Sequence, residues 1–428
     1  MTETPIQRLA RDRLAARRGG VAAVCTAHPM ALAEALRHGV AEGGPVLIEA
    51  TCNQVNQDGG YTGMRPADFR RLVERIAART GFDAGALILG GDHLGPNPWR
   101  RLAAETAMAK AEAMVAEYVQ AGFSKLHLDA SMGCLGEPDA LADEMTARRA
   151  ARLAATAEAA AHEAELPAPV YVIGTEVPPP GGALSTLRDI EPTRPEAALA
   201  TLDIHRQAFV AAGQQAAFER VIGLVVQPGV EFDSGDVAVY GRARARSLSE
   251  TLSLMHGLVF EAHSTDYQPP DALAALVADG FAILKVGPAL TFALREALYA
   301  LDAIAVVLGL ATHEDGLAAT MERLMLREPE HWRGRYSGTA DELRVQRHYS
   351  YADRIRYYWP HAEAQASVAL LLRRLEGHQL PAPLISQYLG ALYPAAMGGA
   401  IGRTALELVD AAVRRVLEGY ARACRAPG

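Results

Sequence analysis

An α/β fold is predicted: eight parallel strand-and-helix units closed into a barrel, followed by an α-helical extension. Three observations carry it. Eight short runs of β-branched and aliphatic residues each end on a polar or ionisable side chain, and a helical segment separates each from the next. The runs are nearly continuous in apolar character, as Ala86–His93 (ALILGGDH) illustrates, which suits strands covered by helices on both faces. From Thr291 onward such runs stop and only helical segments follow. Eight units over about 300 residues match a (β/α)8, or TIM, barrel with insertions. The division expected is a barrel with an N-terminal helix over 1–300 and a helical extension over 301–428.

Thr4–Arg18 opens as an amphipathic helix with Ile6, Leu9 and Leu14 on one face, stopped by Gly19-Gly20 and suited to plugging the barrel floor. Strand one, Val21–His28, leads to a helix over Met30–His38 that ends at Gly39. Strand two, Pro45–Cys52, runs into ATCNQVNQDGGYTGMRP, a polar, glycine-bearing loop longer than a tight connection. A helix over Pro66–Thr80 precedes strand three, Ala86–His93, and Pro98–Gly122 precedes strand four, Lys125–Ser131. The loop MGCLGEPDALADE and the alanine-rich helix Met145–Glu165 then lead to strand five, Val170–Val177. PPPGGALSTLRDIEPTRP follows, the richest Pro/Gly stretch of the chain. Helices over Pro195–Gly213, Ala243–His256 and Pro270–Gly280 precede strands six (Ile222–Gly229), seven (Leu258–Asp266) and eight (Phe281–Gly287). In the extension, helices are expected at Thr291–Leu308, Asp315–Arg327, Asp353–Trp359, Ala362–Glu376, Pro383–Gly390 and Arg403–Ala423.

Half of the residues are hydrophobic, 21% are charged and the formal net charge is −8, an ordinary globular composition without the basic footprint of a nucleic-acid partner. The arginines of 8–18 and 70–79 sit among alanine, leucine and acids as solvated helix faces. Cys25, Cys52, Cys134 and Cys424 form no CxxC spacing, so a reducing cytoplasm is the simplest setting. No run of about 18 uncharged apolar residues offers a membrane span, and the N-terminus lacks the apolar core of a secretory signal.

Catalytic groups of a TIM barrel sit at the C-terminal ends of its strands. Here those ends present His28, Glu49, Asp92, His93, Asp129, Glu176, Gln227, His263 and Lys285. In GGDHLGP, two glycines allow close backbone approach, and a local bulge would let Asp92 and His93 face one cavity. Strands three, five and seven share a ring of alternate strands, so His93, Glu176 and His263 could converge as a three-ligand set for a divalent ion such as Zn, Mn or Co. Asp92 suits a proton acceptor, with Glu176 and Asp129 as further candidate catalytic carboxylates.

Lys285 could form a Schiff base if desolvated, but Glu176, Asp129 and Glu49 within reach favour a paired ammonium. The Gln227 amide, a donor and an acceptor, suits a sugar hydroxyl. His28, Glu49, Asn53, Gln54, Asp266 and Lys285 complete the candidate substrate contacts. HYSYADRIRYYWP, residues 348–360, could stack on a sugar or close the barrel mouth, or serve only helix and subunit packing. Cys52 and Cys134 have no activating partner in sequence and read as inert.

Long motifs in the chain resemble the D-tagatose-1,6-bisphosphate aldolase subunit family of the GatZ/KbaZ type. They are VCTAHP, VLIEATCNQVNQDGGYTGM, LILGGDHLGPNPW, GFSKLHLDASM, VIGTEVPPPGG, VVQPGVEFD, FEAHSTDYQ, ILKVGPALTFALREAL, RYYWP and PLISQYLG. The resemblance implies a TIM barrel related to metal-dependent class II ketose-bisphosphate aldolases. This subunit type is described there as a non-catalytic stabilising partner, and some relatives as ketohexose or tagaturonate 4-epimerases. By similarity, Asp92-His93 matches the aldolase pair of base and metal ligand, and His263 matches a second metal histidine. A remaining metal histidine would fall where this chain has Gln227, a gap that Glu176 could fill.

The turns that hold phosphate in such aldolases read STDYQPP and GPALTFA here, and Asp266 would repel a phosphate dianion. An unphosphorylated sugar, or no substrate at all, is therefore favoured. The function expected is metal-dependent carbon–carbon chemistry on a ketohexose, either C4 epimerisation of fructose/tagatose or cleavage of tagatose 1,6-bisphosphate. The alternative is a stabilising subunit of a catalytic class II aldolase. The expected partners are a ketose or ketose phosphate and further copies of the chain.

Overall fold

A computed structural model of the protein describes residues 3–15, 19–174, 187 and 190–425. Eight parallel strands close into a barrel: β1 Val21–Cys25, β2 Val46–Thr51, β3 Leu87–Leu94, β4 Lys125–Leu128, β5 Val170–Ile173, β6 Val221–Val225, β7 Val259–Ala262 and β8 Ile283–Val286. Each pairs with its neighbours in sequence, and β8 returns to β1 with Ile283 opposite Val21. All eight expected strands are present, most of them ending earlier than expected, because several polar caps belong to the loops above the barrel. His28, for example, is the N-cap of the helix Pro29–Glu42, its Nδ1 accepting the Met30 N–H.

The floor of the barrel is plugged as the sequence indicates. Thr4 and Gln7 form a reciprocal capping box that starts a helix at Pro5–Leu9, which widens into a π-type turn over Ala10–Leu14. Ile6, Leu9 and Leu14 pack inside against Val21, Ala23, Leu47, Ile88, Val172 and Ile283. Residues 16–18 of the expected helix lie outside the described residues.

The extension differs from expectation in several places, an unanticipated short helix at Tyr393–Met397 among them. The helix Ala340–Tyr349 was not anticipated, although the capping box of Thr339 and Glu342 that begins it is a sequence signal. Residues Arg354–Tyr358 form a tight 3₁₀ turn within the segment expected as a helix. The expected boundary at residue 300 falls inside the helix Pro288–Val307, and one apolar core runs through both parts of the chain. The last helix, Ala405–Cys424, folds back on the barrel: the Cys424 carbonyl accepts the Gly20 N–H at 3.0 Å, and the Tyr420 hydroxyl donates to the Thr265 carbonyl at 2.8 Å. Among the described residues no helix is long and apolar enough to cross a membrane.

One glycine decides how the barrel interior is wired. Glu49 on β2, Gly90 on β3 and Lys125 on β4 stand in register. Without a side chain at Gly90, the Glu49 carboxylate crosses β3 and meets Lys125 Nζ at 2.7 Å. A Cβ at position 90 would stand 2.8 Å from Glu49 Cγ. Gly90→Ala is therefore expected to lower the melting temperature, by a cost on the order of 3 kcal/mol for overpacking against a buried ion pair. A thermal melt unchanged from wild type would contradict this crossing.

Candidate active site

Side chains at i and i+2 of a strand share a face, and two successive inward levels of this barrel carry ionisable groups. The lower level holds Glu49, Lys125, Glu261 and Lys285, all buried. Lys125 Nζ is 2.7 Å from both Glu49 Oε1 and Glu261 Oε2. Lys285 pairs with Glu49 and also stands 2.8 Å from Asp92 Oδ1 and 3.8 Å from Glu261 Oε1. Burial pushes the Lys285 ammonium down to about 7, while the carboxylates around it favour the charged, paired form over a free amine.

The upper level holds Asp92, His93, His127 and His263. Lys125 and His127 alternate along β4, as Glu261 and His263 do from β7 into its loop. Adjacent Asp92 and His93 share the cavity because the register of β3 slips between Gly91 and Leu94 and His93 takes a positive φ of 48°. This is the bulge that the sequence led us to expect.

Each imidazole is matched with a carboxylate. His93 Nδ1 lies 2.8 Å from Asp129 Oδ2, His127 Nδ1 2.9 Å from Asp92 Oδ1, and His263 Nε2 3.0 Å from Glu261 Oε1. The ring centroids are 4.8 to 5.1 Å apart. These pairings leave Nε2 of His93, Nε2 of His127 and Nδ1 of His263 for another partner, and His127 Nε2 is buried with none. The four residues offer ligand atoms within 4.8 Å of one another. Pairing one ring nitrogen with a carboxylate while the other faces a common centre is the habit of metal-binding histidines.

The electrostatics agree. Burial alone would raise Asp92, yet the imidazoles of His93, His127 and His263 hold it well below the ordinary carboxylate range. Burial alone would lower His93, yet Asp92 and Asp129 raise it to about 9. Burial lowers His263 despite Glu261. The centre thus concentrates ionised carboxylates that draw positive charge inward, and a divalent cation fits the donor set.

Asp92, His93, His263, Asn53, Gln54, Asp266 and Lys285 line a cavity of about 90 Å³. His28 lines an adjoining chamber of about 440 Å³. Four expectations change. Glu49 lies beneath the cavity, committed to two lysines. Asp129 stands behind His93, where it also accepts the Ser131 hydroxyl at 2.7 Å. The Gln227 amide oxygen accepts the N–H groups of Gly229 and Val230, which makes it a turn former. Asp266 accepts the N–H groups of Gly287 and Ala289 and so caps the helix that follows β8 with its own carboxylate. Glu176 lies outside the described residues. The third imidazole is His127, which sequence reading passed over in favour of the strand's last residue, Asp129. The i, i+2 spacing of Lys125, His127 and Asp129 was the available signal.

Fold and centre together define a TIM barrel whose C-terminal mouth carries a histidine–carboxylate metal-type site. The chain belongs to the D-tagatose-1,6-bisphosphate aldolase subunit GatZ/KbaZ-like family, whose model matches residues 6–425. It is 56% identical over 415 residues to a D-tagatose 6-phosphate 4-epimerase of Agrobacterium fabrum strain C58, covering 97% of each chain. It also resembles the crystal structure described as a probable tagatose 6 phosphate kinase from Sinorhizobium meliloti 1021. That match has 56% identity and a TM-score of 0.88, covering 95% of this chain and 100% of that one.

His127→Ala is expected to weaken Mn²⁺ or Zn²⁺ binding by at least about 10-fold in a calorimetric titration, with the circular dichroism spectrum retained. Equal metal affinity would remove His127 from the centre. A second outcome concerns pH. Asp353 is buried at the mouth and accepts the Thr291 hydroxyl at 2.5 Å, and burial pushes its carboxyl up to about 7, partly offset by Arg356. A carboxyl raised on folding costs nothing below its ordinary value near 4, and its cost grows as pH rises through about 7. Asp353→Asn should therefore melt above wild type at pH 8, with the difference closing by pH 5. A gap independent of pH would contradict this.

Proposed function

We propose that the protein interconverts C4 epimers of a ketohexose 6-phosphate, tagatose 6-phosphate and fructose 6-phosphate, by breaking and remaking the C3–C4 bond. The observation that carries this reading is the triad of carboxylate-paired imidazoles beside Asp92 at the barrel mouth. The relative named as a tagatose 6-phosphate 4-epimerase, similar along nearly the whole chain, supports the same chemistry. The kinase description of the other relative is favoured less. A phosphoryl-transfer centre holds Mg²⁺ through oxygen ligands, whereas an imidazole-rich set suits Zn²⁺, Mn²⁺ or Co²⁺.

The free sugar that the turns after strands seven and eight favoured gives way to a monophosphate. Asp266 does occupy the helix N-terminus after β8, which disfavours a phosphate at that place and hence a bisphosphate. The phosphate in the relative's name then has to be met elsewhere in the mouth.

A divalent ion held by His93, His127 and His263 would supply positive charge to the C2 carbonyl oxygen and a neighbouring hydroxyl of the sugar. Asp92 accepts the C4 hydroxyl proton as the C3–C4 bond opens. Lys285, 2.8 Å from Asp92 Oδ1, keeps that carboxylate ionised and oriented. Asp129 and Glu261 fix the rings of His93 and His263 from behind. Asn53 contributes its amide to a sugar hydroxyl, while the Gln54 amide oxygen accepts the Thr51 N–H at 2.8 Å.

The purified chain alone, loaded with Mn²⁺, Zn²⁺ or Co²⁺, is expected to convert tagatose 6-phosphate to fructose 6-phosphate. Asp92→Asn should reduce kcat by about 100- to 10,000-fold with the metal retained. No turnover of either ketose phosphate by the chain alone, together with stabilisation of a co-expressed aldolase, would replace this reading with that of an accessory subunit.

A further inference from the structure

Arg356 is a half-buried cation of the covering segment. It comes from the helical extension and reaches the barrel mouth, where it lines both the 90 Å³ cavity of the metal-type centre and the adjoining 440 Å³ chamber. Cys25, Gln54, Tyr61 and Gly287 are the other residues common to the two. The guanidinium is held in place by carbonyl oxygens, Nη1 donating to Ala352 at 2.5 Å and Asp353 at 3.0 Å, while Nη2 approaches the Tyr357 hydroxyl at 3.3 Å. Among the described residues it forms no ion pair with a carboxylate.

Charges of both signs surround it: Asp353 and Asp266 act on it from the carboxylate side, and Arg354 from the cationic side. Arg354 and Arg356 lie over the Tyr357 ring at 4.4 and 4.7 Å, and Tyr61 leans on the same ring at 4.5 Å. Burial pushes the Tyr357 phenol up, yet Arg356, Arg354 and Arg335 more than reverse this and leave it below its ordinary value. An arginine fixed by backbone carbonyls, without an ion pair among the described residues, and flanked by aromatic rings in a cavity wall is built to receive an anion from outside.

We propose that Arg356 grips the 6-phosphate of the sugar and holds the aldehyde fragment in the site between bond cleavage and bond formation. This rests on the epimerase reading above. When the C3–C4 bond opens, its electron pair stays on C3 in the enediolate of the first three carbons, and the C4 hydroxyl proton passes to Asp92. C4 becomes the aldehyde carbon of a three-carbon fragment that carries the phosphate at its far end. Rotation about C4–C5 turns the other face of the aldehyde toward C3, the electron pair re-forms the bond, and a proton returns to the C4 oxygen. The phosphate takes no part in the chemistry, so a grip there keeps the fragment while leaving C4 free to turn. Without it the same cleavage would release a triose phosphate, which is the outcome of a lyase.

The test compares the Mn²⁺-loaded wild type with Arg356→Met and Arg356→Lys. One to two powers of ten in KM for tagatose 6-phosphate should be lost in Arg356→Met, the worth of a charge-assisted hydrogen bond. Arg356→Lys should recover part of the loss. Free triose phosphate per turnover, read by a coupled reductase, should rise in Arg356→Met, while turnover of free tagatose and metal content stay as in wild type. Calorimetry with fructose 6-phosphate and with fructose reads the grip without any turnover. Fructose 6-phosphate binding at least ten-fold weaker in Arg356→Met, in a chain whose wild type epimerises nothing, would keep the grip and remove the reaction. Equal fructose 6-phosphate binding by wild type and Arg356→Met, with the metal retained, would overturn the grip whatever the turnover.

Discussion

The buried ion network of Glu49, Lys125, Glu261 and Lys285 is the interaction on which the centre rests. Two lysines and two glutamates balance inside a barrel where isolated charges would be prohibitively desolvated. Such a network is poor value for stability alone, since well-packed apolar side chains of similar volume serve as well or better. Its use is positional. Lys285 touches Asp92, and Glu261 touches His263, so the lower level sets the charge and direction of two groups in the upper one. Gly90 is the local condition that lets the network span β3.

The upper level converts that order into chemistry. Three imidazoles with one nitrogen each committed to a carboxylate cannot spin or change tautomer freely, and with Asp92 they offer ligand atoms within 4.8 Å of one another. Strained backbone clusters in the same place: of five described non-glycine residues with positive φ, His93, Ser264, Tyr267 and Asp353 all belong to the barrel mouth or the segment that covers it. The cover is tied down by hydrogen bonds, Tyr267 hydroxyl to the Tyr351 carbonyl at 2.7 Å and Thr291 hydroxyl to Asp353. The helical extension is thus part of the site, and it delivers Arg356 to the mouth.

The barrel was legible because a two-faced buried strand has few ways to be written, and all eight apolar runs became strands. The floor plug was legible from the spacing of Ile6, Leu9 and Leu14. Asp92, His93 and His263 were found because they stand at visible strand ends. His127, Lys125 and Glu261 were missed because attention fell on the last residue of each strand, whereas the inward face is set by alternation two residues deeper. Gln227 and Asp266 looked like ligand contacts, but turns beside strand ends have backbone N–H groups of their own to satisfy, and these side chains do it. Arg356 stood in a noticed motif, HYSYADRIRYYWP, but a segment from the extension has no register with the barrel. Which of its arginines reaches the cavity depends on tertiary packing that no local spacing encodes.

At the centre of this reading is a carbon–carbon bond that opens and closes at C4 while the C4 hydrogen stays in place. Tagatose 6-phosphate carrying deuterium at C4 tests it most directly. After epimerisation in ordinary water by the metal-loaded chain, mass spectrometry of the fructose 6-phosphate should find the deuterium retained at C4 in full. Loss of the label to solvent would mean that the C4–H bond breaks instead, and would contradict cleavage between C3 and C4.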